Sequence, residues 1–367
     1  MKSQRIYPLL ILLVLAVSSM LPATIQYNPL LHVNEEPEMK LLAKTTSSTP
    51  VLEVVEFYNI YNRGSKPFNL SDLGDIYVTY PQIDPRQVLL DYKVYVAGKL
   101  VNYTVKSEYG NLSLIAIVNI DDIVIDPGKN ISIKVYYKVK IRPPPKPISM
   151  NDILNAPWHT VSNIKYYDNL TASSRFWNYS NPLIKLLSDY LWEKSNGSLG
   201  LYLIEAIRWI RENIAYHTRV PARHPVEVLA EYRGDCDDDA NLLITLLRAK
   251  GIPAILEAGL VYIKGYYGST VINHVVRYEI LNGGPHGWVK VYIPGLGWRP
   301  IDLTFILTKS KNPIDAFNEG AYMRMPIVVI ERSLGRDYAS ETVEETRRLE
   351  KLEAYLAARI ELNVVEG

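Results

Sequence analysis

Gly234-Asp235-Cys236-Asp237-Asp238-Asp239-Ala240 decides how this chain is read. It holds the only cysteine among 367 residues and places it where a helix should begin. Asp235 is a helix-capping residue type, and Asp238 three positions on gives a capping-box-like spacing. A thiol at a helix start meets orphan backbone N–H groups and the positive end of the helix dipole, both of which favour thiolate. The adjoining carboxylates oppose it by like-charge repulsion, so an imidazolium is needed nearby. A lone Cys is more often a small buried hydrophobe; the acidic residues around Cys236 argue against that reading here. The acids from Asp235 to Asp239 lack the alternating oxygen-ligand spacing of a calcium loop. His217, His224 and His274 lack metal-ligand spacing. No metal and no other cofactor is expected.

The imidazole comes from a second stretch. His286-Gly287-Trp288-Val289-Lys290-Val291-Tyr292-Ile293 and Gly297-Trp298-Arg299-Pro300-Ile301-Asp302 read as two antiparallel strands joined through Pro294-Gly295. A hairpin brings side chains of opposite strands within reach. A carboxylate at Asp302 could then hold the His286 ring in one tautomer while its other nitrogen exchanges a proton with sulfur.

Outward from these stretches the texture divides the chain. Helical spacing appears at Leu183, Leu186, Leu187, Tyr190 and Leu191, and again at Leu203, Ile207, Ile210 and Ile214. A third helix is expected from Asp235 to about Lys250, with Gly251 past its end. Strands follow at 255–263, 273–281, 287–293 and 298–302. Helices first and strands afterwards indicate an α+β domain, placed at 150–335. Ahead of it, residues 51–142 alternate short runs rich in Val, Ile and Tyr with turn residues, which predicts an all-β sandwich of about seven strands. Pro143-Pro144-Pro145-Lys146-Pro147 marks the boundary. Residues 336–367 read as a C-terminal helix and tail, the helix running from Tyr338 to Arg359. Tyr is frequent, 27 against five Phe, with no evident cause in the sequence beyond its tolerance for half-buried surfaces.

Lys2, Arg5 and the apolar run from Ile6 to Leu21 read as a secretory signal or an uncleaved membrane anchor over residues 1–23. A polar linker follows over 24–50. Seven glycosylation sequons, at Asn69, Asn102, Asn111, Asn130, Asn169, Asn178 and Asn196, all precede residue 200. These features predict an extracellular or cell-surface glycoprotein, with membrane attachment through the N-terminal segment as one of two readings. One cysteine allows no internal disulfide. A net charge of +1 without a basic tract argues against nucleic acid.

From Ala206 to Thr304 the chain resembles the transglutaminase-like superfamily, which has a papain-related thiol site. The signatures are Arg208-Trp209-Ile210 with Asn213-Ile214-Ala215-Tyr216, the Gly-Asp-Cys-x-Asp-x-Ala box, Leu247-Arg248-Ala249-Lys250-Gly251-Ile252-Pro253-Ala254, and the His286–Thr304 run. The resemblance implies an α+β transglutaminase-like core, preceded by an all-β immunoglobulin-like sandwich of the kind that accompanies such cores in microbes. It implies Cys236 as nucleophile, His286 as base and then acid, and Asp302 as the orienting group. The backbone N–H of Cys236 would be one oxyanion donor, with Tyr216 a candidate second and Trp288 a candidate wall. Packing roles remain the alternative for Tyr216 and Trp288. Lys290 stands where relatives often have Glu, which leaves the substrate rim open. The expected function is an exported thiol enzyme that cleaves or transfers an amide of a protein or peptide through an acyl-thioester. Hydrolysis is favoured because nothing advertises an amine site. The alternative is an idle cell-surface binding or structural module.

Overall fold

Residues 354–366 organise the architecture, although nothing in their charged surroundings suggested it. The structure, a computed structural model, describes residues 49–119, 123–306 and 311–366. The expected signal or anchor and nearly all of the linker lie outside these residues. Among the described residues no helix is long and apolar enough to cross a membrane.

The front half supplies β1 (Val51–Asn62), β2 (Phe68–Asn69), β3 (Tyr77–Val78), β4 (Gln87–Val96), β5 (Lys99–Glu108), β6 (Ser113–Asn119), β7 (Val124–Ile125) and β8 (Asn130–Ile141). Next come helices α1 (Pro182–Lys194) and α2 (Leu199–Asn213), the short strands β9 (Ala215–Tyr216) and β10 (Arg233–Gly234), and helix α3 (Cys236–Ala249). Strands β11 (Ala254–Ile272), β12 (Val276–Ile293), β13 (Gly297–Ile301) and β14 (Ile327–Ser333) precede helix α4 (Tyr338–Lys351) and β15 (Ala354–Glu366). The expected α+β mixture is present. The strands expected at 273–281 and 287–293 are one continuous strand, β12.

No separate immunoglobulin-like sandwich forms among the described residues. Eleven strands make one sheet in the order β14-β11-β12-β15-β1-β8-β4-β5-β6-β3, with β13 on β12. The join is β15, antiparallel to β1 along its length and parallel to β12 from Val276↔Leu356 to Leu281↔Glu361. Helix α4 stops at Lys351, eight residues before the expected end at Arg359. Beyond it Ala354, Leu356, Ala358, Ile360 and Leu362 are all buried, the period-two pattern of a half-buried strand.

The sheet curls until β14 meets β6. Two of the chain's four glutamines stitch this closure. The Gln82 side-chain amide donates to the carbonyls of Leu114 (2.8 Å) and Ile330 (3.0 Å). Gln87 donates to the Val329 carbonyl and accepts from its N–H, both at 2.8 Å. An amide has both donor and acceptor, so it can replace a missing strand pair where two edges approach without register. Inside the curl, Tyr58 and Tyr137 donate to the fully buried Glu56, as does Thr79. Burial raises the Glu56 pKa despite these three hydrogen bonds. Part of the Tyr excess therefore serves a buried carboxyl.

The second core packs α1, α2 and α3 against β11, β12 and β13. Nearly every residue of α3 is buried, so it is a central helix rather than a surface one.

Glu331 on β14 gives a test of this buried frame. One carboxyl oxygen lies 3.2 Å from Arg336 and the other has no partner among the described residues. Burial pushes its pKa up to about 8, against the pull of Arg336. Between about pH 4.5 and 8 the folded chain therefore keeps a proton that the unfolded chain releases. This contribution to stability is full below that window and is lost as pH rises through it. Glu331→Gln should gain about 2–4 kcal/mol on wild type between pH 5 and pH 8.5 in urea unfolding. An offset that does not change with pH would contradict the assignment.

Candidate active site

Helix α3 begins as the sequence predicts. Asp235 is the N-cap, its side chain accepts from the Asp238 N–H, and the Asp238 carboxylate reaches back to the Asp235 N–H. Cys236 is the first helical residue and is 2% exposed. Strand β12 packs against this helix, and Gly287 makes the close approach possible: a Cβ there would lie 3.2 Å from the Asp237 Cβ. His286, one residue before that glycine, is fully buried.

The hairpin pairs as expected, from Val289↔Ile301 to Ile293↔Gly297. It brings Asp302, just past β13, onto His286: Nε2 and Oδ2 are 2.7 Å apart. Asp302 is held on every side. Its Oδ1 accepts from the N–H groups of Thr304 (3.2 Å) and Phe305 (2.9 Å), and Oδ2 also accepts from the Ala321 N–H (3.0 Å). Gly320 permits this, because a Cβ there would fall 2.4 Å from the Asp302 Cβ. A carboxylate surrounded by N–H donors accepts from His286, so Nε2 carries hydrogen and Nδ1 is the nitrogen left for chemistry. The Nδ1 atom is buried and has no hydrogen-bond partner among the described residues. Trp288 and Phe305 flank the ring, at 5.9 and 5.6 Å between centroids.

Tyr216 lies on β9, which pairs in parallel with β10 so that Tyr216 stands opposite Gly234. Its hydroxyl is buried without a hydrogen-bond partner among the described residues. Burial first, then the nearby Cys236, Asp235, Asp237 and Asp239, push its pKa up, which keeps it a protonated donor. Trp288 is less free. Its indole N–H donates to Glu257 at 2.9 Å, so the ring is a buried wall and not an oxyanion donor. Lys290 is no rim residue: it is buried between Asp84 (2.6 Å) and Glu257 (2.7 Å). All seven sequon asparagines are exposed.

The acidic turn is less hostile to a thiolate than its sequence suggests. Burial drives the carboxyls of Asp235 and Asp239 well above their usual range, so they carry less negative charge. Asp238 is pushed up to about 7 by burial and by Asp237, against the pull of Arg223. Arg223 donates from Nη1 to Asp238 Oδ2 (2.7 Å) and from its backbone N–H to Oδ1 (2.6 Å). Asp237 accepts from Tyr338 at 2.6 Å, at the end of a chain running from Trp177 through Asn241. Sequence reasoning missed Arg223, fifteen residues before Asp238; Asn241, one turn further along the same helix; and Tyr338, which reaches the turn from helix α4 about a hundred residues on. The side chains of Asp235, Cys236 and Asp237 place one ligand atom each within 4.8 Å of one another.

Residues 200–303 match the family model described as the transglutaminase-like superfamily. This segment carries a transglutaminase-like core. A stretch of 71 residues is 38% identical to the uncharacterised protein YebA of Bacillus subtilis. That stretch is 19% of this chain and spans only 9% of YebA's length. Among solved structures, one described as a candidate cysteine protease from Cytophaga hutchinsonii covers 88% of this chain and 92% of its own at 14% identity, with a TM-score of 0.53. At that TM-score the two share a fold. The periplasmic domain of TgpA from Pseudomonas aeruginosa is more distant, with 16% identity over 72% of this chain and 90% of its own and a TM-score of 0.30.

Arg223 supplies the test of the acidic turn. Arg223→Met leaves Asp238 buried without its cation, which should cost about 3 kcal/mol. The loss should be larger at pH 8 than at pH 5, because protonation of Asp238 removes the need for the cation. Denaturant unfolding at the two pH values measures both the size and the sign.

Proposed function

We propose that this chain is a thiol enzyme in which Cys236 attacks an amide carbonyl, His286 moves the proton and Asp302 holds the imidazole. The observation that carries this reading is the buried His286–Asp302 pair. It leaves Nδ1 without a partner on the strand that packs against the helix beginning at Cys236. In this scheme Nδ1 accepts the thiol proton and the thiolate adds to the carbonyl carbon. The resulting oxyanion is met by the backbone N–H of Cys236 and the hydroxyl of Tyr216. Collapse expels the amine, which takes the proton from Nδ1, and leaves an acyl-thioester on Cys236. Water or a second amine then attacks the thioester, with His286 again taking the proton. The substrate class is a peptide or a glutamine side chain. We favour water as acceptor because nothing in the sequence advertises an amine site.

An idle binding module remains the second reading, supported by the burial of Cys236, which is only 2% exposed. Alkylation by iodoacetamide separates the two. Burial slows the absolute rate, so the readout is the pH midpoint. A midpoint well below about 8.5 supports an activated thiol, and one at that value supports the idle module. Cys236→Ala and His286→Ala should each abolish amide cleavage, measured on a peptide library with and without added amine, while the melting transition persists. Full activity in either folded variant contradicts the scheme.

Export remains part of the proposal. The exposure of all seven sequon asparagines is compatible with a glycan-covered surface. Intact-mass analysis of protein from its native host should show added mass on several of them, and an unmodified chain would remove this support.

A further inference from the structure

A cavity of about 460 Å³ lies away from Cys236 and His286, between the front strands and the core. Its floor is a buried charge cluster. Asp84 accepts from Lys290 (2.6 Å), Arg332 (2.8 Å), Tyr322 (2.6 Å) and the Arg86 N–H (2.9 Å). Glu257 accepts from Lys290 and Arg332, both at 2.7 Å, and from Trp288. The two carboxylates thus have donors on all four oxygens.

Arg86 is the exception. It lines the cavity and is 6% exposed. Its Nη2 donates to the Met325 carbonyl at 2.8 Å, but Nε and Nη1 have no acceptor among the described residues. Among the buried groups, three cations (Arg86, Lys290, Arg332) face two anions (Asp84, Glu257), which leaves one buried positive charge in excess; Lys165, the other charged residue of the lining, is exposed. The guanidinium also lies over the Tyr322 ring, 5.2 Å from its centroid, but no carboxylate pairs with it, and a buried cation without a counter-charge is costly unless an anion completes it. Burial already drags its pKa down to about 10. Above the floor the walls are apolar and aromatic, including Tyr109, Tyr166, Trp298, Pro145 and Pro300. Ligand sites commonly pair such walls with one placed charge in a volume of this order.

We infer that this cavity binds a monocarboxylate with an apolar body, its carboxylate on Arg86 and its body against the tyrosine, tryptophan and proline walls. One excess charge matches one carboxylate, whereas a phosphate dianion would overfill it. The same chemistry is offered by the C-terminal residue of a peptide and by a free aryl or alkyl acid. The inference does not rest on the thiol chemistry.

Calorimetry on the full chain in a Cys236→Ala background tests it without turnover. The probes are phenylacetate, N-acetylphenylalanine, the neutral phenethyl alcohol and inorganic phosphate. Both acids should bind saturably at one site, and the alcohol at least about tenfold more weakly. Tighter binding of N-acetylphenylalanine than of phenylacetate identifies a peptide terminus as the source, and the reverse order a free acid. Arg86→Gln should bring the acids down to the level of the alcohol. Ile83→Asp should weaken them severalfold by placing a like charge at the exposed rim, where folding is not at stake. The inference is overturned if neither acid saturates, if acid and alcohol bind alike, or if phosphate is preferred to both acids. It is overturned equally if a folded Arg86→Gln or the Ile83→Asp variant binds the acids as wild type does.

Discussion

Strand β15 is the constraint on which the rest of the molecule depends. One edge pairs with β1 and so with the front strands; the other pairs in parallel with β12, the strand that carries His286. Its alternating side chains, Leu356, Ile360 and Leu362 among them, sit in the core that both halves share. Without this strand β12 and β1 would be open edges facing each other, and backbone groups now paired would have to find other partners. The sheet is therefore a single frame. The position of His286 is set by residues 354–366 as much as by its own hairpin.

The frame is rigid enough to hold charges that free chains would solvate. Around Cys236, burial and crowding raise the carboxyl pKa values of Asp235, Asp238 and Asp239, with Arg223 as the principal counterweight to Asp238. Across the sheet, burial acts on Arg86, Lys290, Arg332, Asp84 and Glu257, which answer one another except at Arg86. In both places desolvation is the largest single influence on the groups that shift; ion pairing partly offsets it at Asp238 and outweighs it at Asp84, whose pKa falls to about 2. A protein interior that tolerates this must be over-determined by packing, as the nearly complete burial of α3 indicates.

What could be read from the sequence was local. The capping box at Asp235, the helix it starts and the hairpin that pairs His286 with Asp302 each depend on residues fewer than twenty positions apart. Spacing rules apply directly over such distances. The seam was not legible in the same way. The run from Ala354 to Leu362 alternates, but its small and charged residues also suit a helix continuing from Tyr338. What settles it as strand is pairing with β1, some three hundred residues earlier. The same distance hid how the front strands join the core: they share one sheet with it through β15, the last described element. The place of Lys290 was not legible either, because its partners, Asp84 and Glu257, come from the loop before β4 and from β11.

Strand β12 links the two sites physically. His286, Trp288 and Lys290 are alternate residues, so they share one face of the sheet. His286 meets Asp302, Trp288 stacks beside it and donates to Glu257, and Lys290 closes the cluster under the cavity. At about 3.3 Å per residue the imidazole and the ammonium are separated by roughly 13 Å of strand. Glu257 accepts from both Trp288 and Lys290, so a change of charge at the cavity floor alters the partner of the ring that walls His286. An anion on Arg86 would leave those bonds intact, because it answers the one cation that the cluster does not. The cavity can thus be filled without disturbing the wall beside His286.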